Sequence, residues 1–365
     1  MLKESEPVKE NEGRDFQHEK TDIAAVDLFC GAGGLTCGLR QAGINVVAGV
    51  DNDPACAYAF KTNNEADFIN KRIEDLDSLD IAKKFNGAAY SLLCGCAPCQ
   101  TFSSINQKAS KDDQRWYLLR YFANLIIKCR PDFVAMENVP GLEGKDVFKS
   151  FCEQLGEHGY FYTYLIVNSA EYGIPQNRKR LVLVASRHGE IDILGALEAN
   201  RGTVTVKEAI GHLPLLQAGE CDKDDVLHFS SRLTPKNIRR IQASVPGGTW
   251  RSWDEDLVLP CHTQEAGDGY GAVYGRMEWD KVAPTITTQF YNYGSGRFGH
   301  PEQDRAISFR EGALLQTFPS AYVFFNPKSK IGRRELGRLI GNAVPVRLGK
   351  IIGQAILRHR ATLDE

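Results

Sequence analysis

The chain opens with about twenty residues of mixed charge, "MLKESEPVKENEGRDFQHEK", in which no apolar position repeats at a helix or strand period. A segment with so little apolar surface to bury predicts a disordered tail over residues 1–21. Patterning begins at "IAAVDLF", a continuous apolar run of the kind made by a strand covered on both faces. It runs into "CGAGGLTCGLRQAG", where glycines give way to a helical stretch ending at Gly43. The run "INVVAGVD" predicts a second buried strand stopping at Asp51, and "DPACAYAFKTN" a helix with Asp53 as N-cap and Pro54 at its first position. Further strand-like runs are "AAYSLLCG", "PDFVAMEN" and "RLVLVAS", with the helical "WYLLRYFANLIIKC" between the first two. Strands alternating with helices at this spacing predict an α/β fold with a doubly wound, mostly parallel sheet.

Beyond about Arg187 the alternation decays into short motifs rich in glycine and proline. Periodicity returns at "ISFREGALLQTFP" and in "VRLGKIIGQAILRHR", where Leu348, Ile351, Ile352, Ala355 and Ile356 share one helix face behind Pro345. The expected division is therefore an ordered unit over 22–190, an irregular one over 191–300, and a return to the first over 301–365.

Composition narrows the setting. Of 365 residues, 42% are hydrophobic and 25% charged, ordinary globular values that leave ample material for a core. The net charge of −2 supplies no global basic field, so any nucleic-acid contact rests on local clusters such as "KNIRR", "RKR" and "KIGRR". Ten irregularly spaced cysteines do not make a disulfide scaffold in a chain of this length. With no signal-peptide pattern and no apolar run approaching the ~18 residues of a membrane span, a reduced, cytoplasmic compartment is expected.

The polar exceptions gather at strand ends. The glycine turn follows the first strand, Asp51 ends the second, Cys99 follows a later one, and Glu137 ends another. All would emerge from the carboxyl edge, where open α/β sheets bind ligands. Gly31, Gly33 and Gly34 clear the turn of side chains, and Asp51, twenty residues after Gly31, is placed for ribose hydroxyls. The dinucleotide fingerprint G-x-G-x-x-G fails, because its sixth position is Thr36. A nucleoside ligand anchored without a pyrophosphate fits better, S-adenosylmethionine first among them.

In "CGCAPCQTFSS", Cys94, Cys96 and Cys99 find no fourth ligand nearby, so a zinc site is not expected. Cys94 and Cys96 read as the small, buried end of a strand. Cys99, past a rigidifying proline, is the candidate nucleophile. Beside a carboxyl and a methyl donor, a thiolate can add to an electron-poor ring such as cytosine and make a carbon that accepts the methyl group.

At this point the chain resembles the carbon-5 cytosine-specific DNA methyltransferases, in their bacterial modification-type form, from Ile23 to about Arg358. The matching motifs stand in the family's order: "DLFCGAGG", "VDNDP", "PCQTFS", "ENVPGL", "NSAEYGIPQNRKR", "APTITT", "REGALLQTFP" and "GNAVPV". The resemblance implies a Rossmann-like methyltransferase sheet over 22–190 and 301–365, with a smaller, irregular target-recognition domain at 191–300. It implies S-adenosylmethionine as cofactor and a flipped-out cytosine in duplex DNA as substrate. Cys99 would attack carbon 6, Glu137 would hold ring nitrogen 3, Arg178 and Arg180 would support the site with Arg180 at the ring's carbonyl oxygen, and Asn138 would brace the nucleophile's loop.

For the cofactor, the resemblance implies Phe29, Gly31, Gly33, Gly34 and Leu35 in the first motif, Asp51 at the ribose, Asn52 and Ile73 near the adenine, the packing residue Leu118, and Asn342 with Ala343 closing the pocket. Two departures stand out. Arg72 occupies the place before Ile73 where the family often carries an acid for the adenine amino group, and Asn52 replaces a larger stacking residue of some relatives. Activity with altered cofactor affinity is the expectation. Methylation of tRNA, seen in one branch of the family, is the alternative within the same chemistry; the size and variety of the recognition region favour DNA. A catalytically silent relative is disfavoured by the intact Cys99, Glu137 and arginine pair.

On the DNA side, "TFSSINQKASKDDQR" reads as a hydrophilic lid bringing Ser103, Ser104 and Gln107 to the duplex. Arg240, Arg251 and Arg276, in the basic and aromatic stretches of the recognition region, are candidate DNA contacts. A monomer is expected, with a restriction endonuclease of the same sequence specificity as a possible functional partner.

Overall fold

The computed structural model describes residues 22–98, 118–264 and 271–364. The expected tail over 1–21 lies outside these residues, as do Cys99, Ser103, Ser104 and Gln107.

Nine strands are described: β1 Ile23–Leu28, β2 Asn45–Asp51, β3 Asp67–Asn70, β4 Tyr90–Gly95, β5 Phe133–Asn138, β6 Phe161–Asn168, β7 Gln176–Asn177, β8 Lys179–Ser186 and β9 Ala283–Pro284. Seven form one sheet in the order β3-β2-β1-β4-β5-β8-β6, and β7 pairs with β9 apart from it. The first five strands of that sheet are mutually parallel, whereas β8 runs antiparallel to both β5 and β6. Strand order reverses between β1 and β4, the place where doubly wound sheets open a crevice.

The apolar runs named from the sequence form β1, β2, β4, β5 and β8. β3, β6 and the two-residue β7 and β9 are not among those runs. β3 is four residues long with exposed ends. β6 is an edge strand whose residues are exposed or half-buried except Val167, so neither carries the continuous apolar signature.

The helices are α1 Gly34–Ala42, α2 Cys56–Asn64, α3 Ser78–Lys83, α4 Leu118–Cys129, α5 Asp146–Glu157, α6 Ile193–Glu198, α7 Val206–Ile210, α8 Pro235–Ala243, α9 Phe309–Leu315, α10 Arg333–Gly341 and α11 Val346–Ala361. α2 begins two residues later than expected. Asp53 instead accepts the Ala55 N–H at 3.1 Å and turns the chain ahead of the helix. α9 starts with a reciprocal cap, Ser308 and Glu311 each bonding the other's backbone N–H.

One face of the sheet packs Val26, Leu93 and Val134 against Phe122 of α4 and Phe151 of α5. The other packs Ala25, Leu92 and Ala135 with Leu39 of α1, Ile352 and Ile356 of α11, and Ile193 of α6. α1 and α11 cross with their backbones in contact. A Cβ on Gly38 would lie 2.2 Å from the Val346 carbonyl oxygen, and one on Gly349 would lie 2.9 Å from that of Leu35. A third core joins Ile286, Phe290, Phe309 and Leu339 to Ala32 and Ala59, tying the later half of the chain to the glycine turn and α2.

Candidate active site

The carboxyl ends of β1 and β2 build a cavity lined by Phe29, Asp51, Asn52, Ile73 and Leu118, together with Lys71, Arg72, Glu74 and Pro98. Phe29 adopts φ 57°, a left-handed conformation uncommon for a residue with a side chain. Asp51 accepts the Gly31 N–H on one oxygen and the Asp53 N–H on the other, each at 2.9 Å. A carboxylate has about four acceptor sites, so two remain for a diol. Burial raises the Asp51 pKa, offset by those backbone bonds. Apolar walls around a carboxylate with spare acceptors fit a nucleoside.

The three glycines of the turn do different work. Gly31, at φ +52°, faces open space. Gly33, the α1 N-cap at φ 92°, backs onto Asn64 and Tyr322, where a Cβ would meet Asn64 Nδ2 at 2.4 Å. Gly34 makes room for the Val344 carbonyl, 2.3 Å from where its Cβ would stand. Tyr322 fixes the turn by donating to the Ala32 carbonyl at 2.6 Å. Leu35 sends its side chain into the core, so only its backbone is available to a ligand. Asn342 is the exposed C-cap of α10, and Ala343 is buried beside it. Neither Asn342 nor Ala343 lines the cavity around Asp51.

At the expected adenine end, Arg72 pairs with Glu74 at 2.8 Å. Glu74 itself lines the cavity, so an acid stands one residue after Ile73 rather than one before it. That pairing holds the Glu74 carboxyl below its ordinary pKa.

The other end of the site is built on β5. Glu137 is 2% exposed, and its Oε1 stands 2.8 Å from Arg180 Nε. Antiparallel register sets Glu137 opposite Val182, which puts Arg180 on the same face one step along the diagonal. The ion pair lacks hydrogen-bond alignment, and among the described residues Glu137 Oε1 is a buried acceptor with no donor. Its Oε2 lies 2.8 Å from Cys96 Sγ. Cys96 is therefore not the buried strand end that the sequence suggested: β4 stops at Gly95, and Cys96 is half-buried at the site. Cys94 does keep that description, buried beneath the Val26 carbonyl. Asn138 donates to the Ala97 carbonyl at 3.1 Å and so ties β5 to the turn leading to Cys99.

Arg178 is buried and does not face Glu137 as Arg180 does. Its guanidinium donates to the carbonyls of Ile286 at 3.0 Å and Ala343 at 3.3 Å, and burial lowers its pKa to about 9. Gln176 and Gln316 extend this network. Gln176 Nε2 reaches Gln316 Oε1 at 2.6 Å, and Gln316 Nε2 reaches the carbonyls of Ile340 and Ala343 at 2.9 and 3.2 Å. The arginine motif thus holds the segment carrying Asn342 and Ala343. The sequence offered no sign of this, since a glutamine far along the chain reads as surface.

Two candidate DNA contacts are corrected. Arg240 is buried and spends its donors on the Leu257 carbonyl and Asn237 Oδ1, both at 2.8 Å. Arg276 is buried and donates to the carbonyls of Ile241, Ser244, His300 and Gln303, with Asp304 as its ion partner. Both arginines hold irregular backbone together where regular ladders are missing. Arg251 is exposed, with its guanidinium 4.8 Å from the centre of the Trp250 ring.

The sheet order, with a cavity at its carboxyl edge, defines a Rossmann-like α/β fold. The sequence profile of the C-5 cytosine-specific DNA methylase family matches residues 23–358, and the chain belongs to that family. It is 48% identical to the Type II methylase M.HgiDII of Herpetosiphon aurantiacus, over 94% of this chain and 97% of that one. It is 30% identical to the Type II methyltransferase M1.BsuMI of Bacillus subtilis, over 96% and 84% respectively. The fold is shared with a prophage-encoded E. coli protein described as a DNA modification methyltransferase, with a TM-score of 0.72 at 20% identity, covering 92% of this chain and 99% of that one. The protein is a DNA cytosine-5-methyltransferase, and its family implies S-adenosylmethionine as the methyl donor.

Proposed function

We propose that the protein methylates carbon 5 of a cytosine flipped out of a specific duplex sequence, through a covalent adduct between Cys99 and carbon 6. The carrying observation is the buried Glu137 Oε1, which has the Arg180 guanidinium 2.8 Å away and no hydrogen-bond donor of its own among the described residues. A buried acceptor left in that state favours a ligand that completes it. In this reading the Glu137 carboxyl shares a proton with ring nitrogen 3, drawing electron density from the ring as the Cys99 sulfur bonds to carbon 6. Arg180 faces the ring's carbonyl oxygen, while Arg178 acts behind it by holding backbone. The electron pair released to carbon 5 forms the new bond to the methyl group, which S-adenosylmethionine supplies. Loss of the carbon-5 proton then expels the thiolate and restores the ring.

Phe29, Asp51, Asn52, Ile73 and Leu118 would hold the nucleoside part of the cofactor. The backbone of Gly31 and Leu35, and the segment of Asn342 and Ala343, would meet its remainder. Residues 191–300 would carry target recognition, with Arg251 at the duplex and Ser103, Ser104 and Gln107 following from the lid reading. The likeness to M.HgiDII, a Type II methylase, supports a role in cytoplasmic DNA modification, protecting a sequence cut by a cognate endonuclease.

Incubation with methyl donor and duplex DNA containing 5-fluorocytosine tests the chemistry. Fluorine at carbon 5 blocks the final elimination, so the wild-type chain should be trapped covalently and Cys99→Ala should not. DNA binding without a trapped complex would overturn the adduct. Bisulfite sequencing of DNA from cells expressing the chain then identifies the target.

A further inference from the structure

We infer that Cys96 is a positioning residue for Glu137, fixing which carboxyl oxygen is presented to the base. This rests on the proposal that Glu137 holds ring nitrogen 3. The Cys96 thiol donates to Glu137 Oε2, with Sγ and Oε2 2.8 Å apart. Oε2 is occupied from the β4 side while the Arg180 charge stands at Oε1 from the β8 side. The remaining acceptor is Oε1.

The thiol is itself held in place. Ala97, its neighbour, accepts from Asn138 Nδ2 at 3.1 Å, so β5 supplies both the carboxyl and the bond that sets the position of Cys96. Cys94, two residues earlier, does not share this role, because its side chain is enclosed in the sheet's core. Among the described residues the cation paired with Glu137 is Arg180 on β8, and the buried Arg178, between β7 and β8, stands behind it with its guanidinium on the Ile286 and Ala343 carbonyls. Against these cations the thiol adds a directional, neutral donor. It limits rotation of the carboxyl without lending the site another charge.

The test uses the full chain, duplex DNA carrying the identified target, and labelled methyl donor, with kcat and KM compared for wild type, Cys96→Ala, Cys96→Ser and Glu137→Gln. Cys96→Ala should lower kcat about tenfold while KM for DNA stays within about twofold. Cys96→Ser, which restores a donor, should recover most of kcat.

Cys96→Ala with wild-type kcat, while Glu137→Gln is inactive, overturns the positioning role alone. Equal losses of kcat in Cys96→Ala and Cys96→Ser also overturn it, and mark Cys96 as packing. Wild-type turnover by Glu137→Gln would instead remove the base-holding reading, and the inference with it.

Discussion

Asp27 sits at the end of β1, 1% exposed, with Oδ2 accepting the Thr36 hydroxyl at 2.6 Å and Oδ1 without a partner among the described residues. Burial pushes its pKa up to about 7 from 3.8, with the Asp51 charge adding to the rise. A carboxyl whose folded pKa is raised contributes stability below its unfolded pKa and loses it as pH rises through the folded value. The window is therefore about pH 4 to 7, and ionisation above it costs on the order of 4 kcal/mol. Asp27→Asn keeps an acceptor for Thr36 and removes the charge. Thermal unfolding without ligand should show the variant matching wild type near pH 4 and exceeding it at pH 8. Equal melting temperatures across that range would mean that Asp27 is solvated in the fold. Glu311 shows the opposite case: Arg305 and the α9 cap hold this buried carboxyl near 2, so its contribution is present above pH 4.5 and lost only in strong acid.

Among the elements, α1 and α11 are both positioned by what is missing at their crossing. Gly38 and Gly349 let two backbones touch, which brings the loop before α11 over the glycine turn at the start of α1. In Gly38→Val, the added atoms would meet the Val346 carbonyl and the Lys350 N–H, neither of which can rotate away. Denaturant unfolding should show a loss on the order of 3 kcal/mol. A loss below about 1 kcal/mol would mean the two helices can slide apart cheaply. The apolar face of α11 was legible in the sequence because it repeats at the helical period. The partner of that face was not, because α1 lies some three hundred residues away and its glycines carry no apolar signal.

Across the whole molecule, the cofactor segment and the arginine motif are joined through Gln176, Arg178 and Gln316, none of which needs to touch a substrate. Gln316→Leu would strip donors from the Ile340 and Ala343 carbonyls and leave Gln176 Nε2 with one acceptor fewer. Calorimetry should report weakened binding of the methyl donor, together with a stability loss of about 2–4 kcal/mol. Loss of stability with unchanged affinity would separate this network from the cofactor segment.

The irregular chain over 191–300 makes the same point about distant contacts. Arg240 and Arg276 stand in basic stretches that suggest DNA, yet both are buried and donate to backbone carbonyls, with Asn237 and Asp304 as their side-chain partners. In irregular chain those carbonyls have no ladder to satisfy them, and a guanidinium with five donors is an economical substitute.

What the sequence determined by itself was local or ordered along the chain. Continuous apolar runs specified β1, β2, β4, β5 and β8, and the motif order specified the family. These signals survive because burial on both faces of a strand, and chemistry at its end, need particular residues at particular positions. Tertiary structure decided strand direction, the pairing of Glu137 with Arg180 and Cys96, and the burial of Arg178, Arg240 and Arg276. A cysteine or arginine has the same sequence signature whether it faces core, carbonyl or ligand; only the register of β5 against β8 and the end of β4 at Gly95 bring Cys96 and Arg180 to one carboxylate.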